Sequence, residues 1–170
     1  MHAHVAELLL PYLKPGSSAL DVGSGSGYML SVFHHLTNIQ GQGEQGHVVG
    51  VEHLKELADF SVANMEKDGL QAELASKRIT VVTGDGRDGY TPMGPYDAIH
   101  VGAAAPTVPE ALVQQLKSPG RLIVPVDNPA TGIQDLLQID KSEQGEVKKS
   151  KLFGVMYVPL TDADMQRGTL

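Results

Sequence analysis

Short apolar runs alternate with stretches of helical spacing along this chain. Val5, Leu8, Leu9 and Leu13 fall on one side of a helix predicted over His2 to Leu13. Lys14-Pro15-Gly16 ends it, and a first strand follows at Ala19 to Val22, apolar apart from Asp21. Met29, Leu30, Val32, Phe33 and Leu36 return to helical spacing. Val48 to Glu52 reads as a second strand, Ile79 to Thr83 as a third and Tyr96 to Val101 as a fourth. Between the second and third, Leu54, Leu57, Ala58, Val62 and Met65 mark an amphipathic helix. Thr107 and Glu110 have capping-box spacing, with Pro109 tolerated in the first turn, and predict a helix to about Lys117. A fifth strand is expected at Arg121 to Val126. Strands that are apolar throughout suit a parallel sheet covered on both faces.

The rhythm changes after Val126. Leu136 to Ile139 and Leu152 to Val158 read as strands, separated only by the polar stretch Asp140 to Ser150. That stretch is too short for a crossover helix, so the pair is predicted as an antiparallel hairpin. The expected fold is α/β: a Rossmann-like, mostly parallel, doubly wound sheet that ends in an antiparallel hairpin, in one domain over residues 1–170.

Composition narrows the partners. Thirteen Lys and Arg stand against 20 Asp and Glu, a net charge of −7, which argues against a broad phosphate-binding surface and a nucleic-acid partner. With no cysteine there is neither a disulfide nor a thiolate metal site. No apolar run reaches membrane-spanning length and the first residues lack a signal-peptide pattern, so a cytoplasmic protein without a membrane partner is expected. The polar loop Thr37 to His47 carries Gly41, Gly43 and Gly46 but no Lys or Arg, and reads as a flexible connection.

The candidate chemistry sits where the strands end. Gly23-Ser24-Gly25-Ser26-Gly27 follows the first strand and opens a helix, so a ligand there would meet backbone N–H groups outside a strand's carboxyl end. The spacing is G-x-G-x-G, not the dinucleotide G-x-G-x-x-G, and the lysine of a phosphate loop is missing. Asp21, just before the loop, suits a positively charged ligand; the plainer reading has it accepting from loop amides. Glu52, at the tip of the second strand, can accept from both ribose hydroxyls of a nucleoside. Its alternative is an acidic first-turn residue of the next helix. His53 beside it either packs on the ribose or adenine or is a surface histidine. Asp85 and Gly86 can address an adenine, or Gly84-Asp85-Gly86 is a turn. Together these parts describe a nucleoside site with a cationic amino-acid tail, which points to S-adenosylmethionine. A metal is not called for: His2-x-His4 and His34-His35 lack companion ligands.

The chain resembles the protein-L-isoaspartate (D-aspartate) O-methyltransferases over nearly its whole length. The likeness rests on Met1-His2-Ala3, the glycine loop with Leu20 to Val22, and Gly84-Asp85-Gly86-Arg87. It rests also on Pro95 to Pro106, the most specific segment, and on Tyr157-Val158-Pro159-Leu160-Thr161-Asp162. The resemblance implies an S-adenosylmethionine-dependent methyltransferase fold. It implies a monomeric repair enzyme that methylates the free carboxylate of L-isoaspartyl and D-aspartyl residues in damaged proteins and peptides. It further implies cofactor contacts at His2, Ser26, Glu52, His53, Asp85, Gly86, Thr161 and Gln166; read locally, Thr161 and Gln166 are a helix cap and a surface residue. Such chemistry needs positioning and desolvation rather than a strong base, since a carboxylate is already ionised near neutral pH. Family members carry a segment before the position of Met1, including the serine usually assigned to the active site. The chain is therefore expected to be N-terminally truncated, with its cofactor half intact and its substrate half partly absent. An adenosyl-ligand-binding domain without turnover, a methyltransferase for another small substrate or RNA, and a nicotinamide-dependent oxidoreductase are the competing expectations.

Overall fold

The computed structural model describes residues 1–39 and 44–161. Among them, seven strands form one sheet: β1 (Ser18–Val22), β2 (His47–Glu52), β3 (Ile79–Thr83), β4 (Tyr96–Val101), β5 (Leu116–Asn128), β6 (Ile133–Lys141) and β7 (Val147–Val155). Their order is β3-β2-β1-β4-β5-β6-β7. The first five strands pair in parallel, and the β5–β6 and β6–β7 pairs are antiparallel. Helices α1 (His2–Leu9), α2 (Tyr28–Thr37), α3 (Lys55–Lys67), α4 (Gln71–Ala75) and α5 (Glu110–Gln114) complete the architecture.

Alternation along the strands divides the core into two layers. Ala19, Val48, Ala98 and Ile123 face Val5, Leu9, Leu30, Phe33 and Met65 of α1, α2 and α3. Leu20, Val49, Ile99 and Leu122 point to the other face, where Leu112 and Val113 of α5 pack with Tyr96 and Leu116. Leu30 and Phe33 are fully buried, and burying a side chain of that size contributes about 1.5–3 kcal/mol.

β3 and β4 have the predicted bounds, and the hairpin forms as expected. Other elements differ, three of them instructively. The first helix stops at Leu9 because Pro11 has no N–H to offer the preceding turn; Tyr12 and Leu13 instead bond to Leu9 O through a looser turn that still buries Leu13. The helix read from Thr107 to Lys117 is only Glu110–Gln114. Pro109 is its N-cap in extended geometry, without a side-chain cap, so Thr107 plays no capping part. The Gln115 amide folds back on Ala111 O and Asp88 O, and Leu116 already pairs with Tyr96 as the start of β5. The polar stretch Asp140 to Ser150 is largely strand. β7 is the sheet edge and mostly exposed, so Lys148, Lys149 and Lys151 are accommodated there and discourage pairing with another chain.

One carboxylate ties three strands together. Asp97 Oδ2 accepts from Ser18 N at 2.7 Å, Ser18 Oγ at 2.9 Å and Lys117 Nζ at 2.7 Å. Asp97→Ala leaves the start of β1 with an unpaired amide and is expected to cost about 1–3 kcal/mol, read as a lower urea midpoint at unchanged slope.

Candidate cofactor site

The order of the sheet reverses between β1 and β4, and the loops that leave these two strands meet there. Gly102 N donates to Val22 O at 2.7 Å, and a β-carbon on Gly102 would lie 3.1 Å from Gly23 O. This is the switch point at which open α/β sheets bind ligands.

The glycine loop spends most of its amides inside the protein. Gly23 N and Ser24 N donate to Val51 O at 2.8 and 3.3 Å, and Gly27 N to Ser24 O at 2.9 Å. Gly25 N donates to Glu52 Oε2 at 3.0 Å. A pyrophosphate would need these N–H groups. Their commitment sets the loop apart from a dinucleotide cradle.

Two adjoining cavities flank the loop and share Gly23, Gly25 and Gly102 in their walls. One, of about 190 Å³, is lined by Glu52, His53, Asp85, Gly86, Leu57 and the segment Val158 to Thr161. The other, of about 150 Å³, is lined by His2, Asp21, Ser24, Ser26, His100 and Tyr157, among others. The first has the predicted ribose and adenine groups; the second has the predicted tail groups. Gly27 lines neither. It caps α2 with φ 82°, and a β-carbon there would meet Ser61 at 3.1 Å, so its place in the motif serves packing against α3.

Three carboxylates reach this edge. Glu52 is 4% exposed; besides Gly25 N it accepts from Leu54 N at 3.2 Å, and its Oε1 lies 3.8 Å from His53 Nε2. It therefore shapes the loop and the start of α3 as well as walling the cavity. Asp21, 1% exposed, takes none of the loop amides predicted as its plainer partners; its Oδ1 pairs with His100 Nδ1 at 2.6 Å. Asp85 caps a short 3₁₀ turn, Gly86–Asp88, by accepting from Arg87 N, and the Arg87 guanidinium grips both its oxygens.

That Arg87 side-chain hydrogen bond holds the Asp85 carboxyl below its ordinary value, helped by the Arg87 amide and opposed by partial burial. A lowered carboxyl adds stability that is present above the ordinary carboxylate range and lost as pH falls through the lowered value. Arg87→Ala is expected to raise the Asp85 titration midpoint, measured by side-chain carbon NMR.

The C-terminal segment closes the larger cavity. Ala104 N donates to Val158 O and Leu160 N to Ala104 O, at 2.8 and 2.7 Å, and His53 Nδ1 bonds to Thr161 O at 3.0 Å. Thr161 thus lines the cavity; Gln166, and the residues that a cap at Thr161 would begin, lie outside the described residues. His2 stacks at a tilt on Tyr28, 5.2 Å between centroids, at the mouth of the smaller cavity. Sequence reading missed His100 and Tyr157. His100 carried a signal: like Asp21, it is a polar residue one position before the carboxyl end of a largely apolar strand.

Sheet order and glycine loop together define the Rossmann-like fold of the methyltransferases. An Aquifex aeolicus S-adenosylmethionine-dependent methyltransferase shares this fold at TM-score 0.52 and 21% identity over 72% of this chain and 63% of its own. The sequence profile of the family described as protein-L-isoaspartate(D-aspartate) O-methyltransferase matches residues 1–165, and the chain belongs to that family. It is 46% identical over 166 residues to protein-L-isoaspartate O-methyltransferase 1 of Arabidopsis thaliana, covering 98% of this chain and 69% of that one. It is 44% identical to the second Arabidopsis enzyme, of which it spans 52%. A Plasmodium falciparum protein assigned as a protein-L-isoaspartate O-methyltransferase, solved with S-adenosyl-L-homocysteine, superposes at TM-score 0.83 with 34% identity, over 95% of this chain and 73% of its own.

Proposed function

We propose that this chain is a protein-repair enzyme that moves the methyl group of S-adenosylmethionine to the free carboxylate of L-isoaspartyl, and D-aspartyl, residues in damaged proteins. The observation that carries the cofactor half is a loop whose amides are mostly committed inside the protein, set beside carboxylates at or just past three strand ends. Such a site suits a nucleoside with a cationic tail and repels a pyrophosphate. Family membership carries the acceptor. The reading extends to a monomer acting in the cytoplasm on polypeptides. The net charge of −7 supports a protein rather than a nucleic-acid acceptor, and no helix among the described residues is long and apolar enough to cross a membrane.

In this reading Glu52 accepts from the ribose, Asp85 and Gly86 address the adenine, and Asp21, Ser26 and His2 face the amino-acid tail. The cofactor supplies a methyl group on a sulfonium; the carboxylate oxygen gains that methyl as an ester and S-adenosylhomocysteine leaves. The chain's own part is to orient and to dry. Leu57, Val158 and Leu160 give the larger cavity an apolar wall, and the hydrogen bond from His53 holds the covering segment in place. Calorimetric titration tests the cofactor half: S-adenosylhomocysteine binds and NAD does not. NAD binding without S-adenosylhomocysteine binding would return the chain to the oxidoreductases.

A further inference from the structure

The antiparallel ladder of β6 and β7 ends at the pair Gln134–Val155, and the next residue, Met156, is 91% exposed. One residue further on, the Gln134 side chain takes over from the ladder. Its Oε1 accepts from Tyr157 N at 2.5 Å, and its Nε2 donates to Tyr157 O at 3.2 Å. A side-chain amide offers an acceptor oxygen beside a donor nitrogen. It therefore meets both polar groups of one backbone residue, as a neighbouring strand would.

The residues from Tyr157 to Thr161 form a strap over the cofactor site. Tyr157 lines the smaller cavity, and Val158 to Thr161 line the larger. Val158 O and Leu160 N bond to the backbone of Ala104, and Pro159 forms a parallel bridge with Ala104. Thr161 O meets His53 Nδ1. The strap is thus tied on β6, after β4 and after β2. Of the two side chains that tie it, His53 walls the larger cavity, whereas Gln134 lines neither. At its entry the strap changes partner, from antiparallel pairing with β6 to parallel pairing with Ala104. Gln134 fixes the residue at which that change occurs.

Resting on the cofactor reading above, we propose that Gln134 is a positioning residue: by seating the backbone of Tyr157 it registers the strap over both cavities and retains the bound cofactor. It acts through Tyr157 and does not itself reach the ligand. Without the two hydrogen bonds the strap opens locally while the sheet beneath it stays folded, and the cofactor escapes faster.

The test uses Gln134→Met, which keeps the length of the side chain and removes both hydrogen bonds. Gln138→Met is the control. It makes the same change on the same strand, where the amide donates to Asp140 Oδ2 and not to the strap. Release of labelled S-adenosylhomocysteine is followed after a chase with unlabelled ligand. Hydrogen exchange of the Ala104 and Leu160 amides, both donors in the strap's pairing, is read by NMR. Gln134→Met is expected to release the ligand about tenfold faster than the wild type and to lose protection at Leu160, with a urea midpoint equal to that of Gln138→Met. Gln138→Met is expected to match the wild type in release and in exchange. Gln134→Glu presents a second acceptor to Tyr157 O in place of the donor and is expected to release faster as well; it carries the same test should Gln134→Met not fold. Wild-type protection at Leu160 in the Gln134 variants, or release at the rate of Gln138→Met, overturns the inference and leaves the cofactor reading standing. Failure of the wild-type chain to bind S-adenosylhomocysteine overturns the cofactor reading and this inference with it.

Discussion

Replacing Glu52 by alanine is expected to weaken S-adenosylhomocysteine binding by about 2–3 kcal/mol, roughly 30- to 150-fold. Two losses combine. The ribose loses a charged acceptor, and the partition between the two cavities loses its support, because Glu52 Oε2 holds Gly25 N and Oε1 holds Leu54 N. With both amides released, a drop of about 1–3 kcal/mol in folding stability accompanies the loss of affinity. Glu52→Gln separates the contributions. A side-chain amide has one acceptor oxygen, so it serves Gly25 or Leu54 but not both, and an intermediate effect is expected. Calorimetry and urea unfolding on the same samples read both quantities. Unchanged affinity in Glu52→Ala would remove Glu52 from the nucleoside site.

Gly50→Ala is expected to act chiefly on folding. Gly50 lies mid-strand in β2, between Asp21 of β1 and Val81 of β3. A β-carbon there would come within 2.5 Å of Leu30 Cδ1 and 3.0 Å of both Ser24 Cβ and Oγ. Leu30 is fully buried and has little room to yield, and Ser24 belongs to the glycine loop. Overpacking of this kind costs about 1–3 kcal/mol, which lowers Tm by roughly 3–10 °C in a chain of this size. The displaced loop weakens cofactor binding as well. Gly84→Ala is the contrast: its β-carbon would meet only Val51 Cγ1, at 3.9 Å, and a Tm within about 2 °C of the wild type is expected. Equal melting temperatures for Gly50→Ala and Gly84→Ala would contradict the close packing of loop, helix and strand.

Parts of this architecture were legible locally and parts were not. β3 and β4 could be bounded because each is an apolar run with glycine or proline close by. α1 ran too long because periodicity alone was followed past Pro11, where the backbone loses a donor. β5 was cut short because Lys117 to Gly120 looks like a turn. In the sheet it is an irregularity that lets Leu116 pair with Tyr96 and Arg121 with Ala98. At the site, the acids could be picked out by position, since each lies at or just past the carboxyl end of a largely apolar strand. Their partners could not. Asp21 faces His100 only through the β1–β4 register, and Glu52 reaches Gly25 across 27 residues. The approach of Thr161 likewise depends on a tail that returns to Ala104; family resemblance indicated it where local pattern had no means to.

The account as a whole turns on methyl transfer. Labelled S-adenosylmethionine is incubated with this chain and an L-isoaspartyl peptide, in parallel with the same peptide carrying an ordinary aspartyl residue. Label on the isoaspartyl peptide and none on its twin is the predicted result. Label on both peptides would contradict specificity for the damaged residue. Label on neither, from a chain that binds S-adenosylhomocysteine, would contradict the proposed activity and leave an adenosyl-ligand-binding protein.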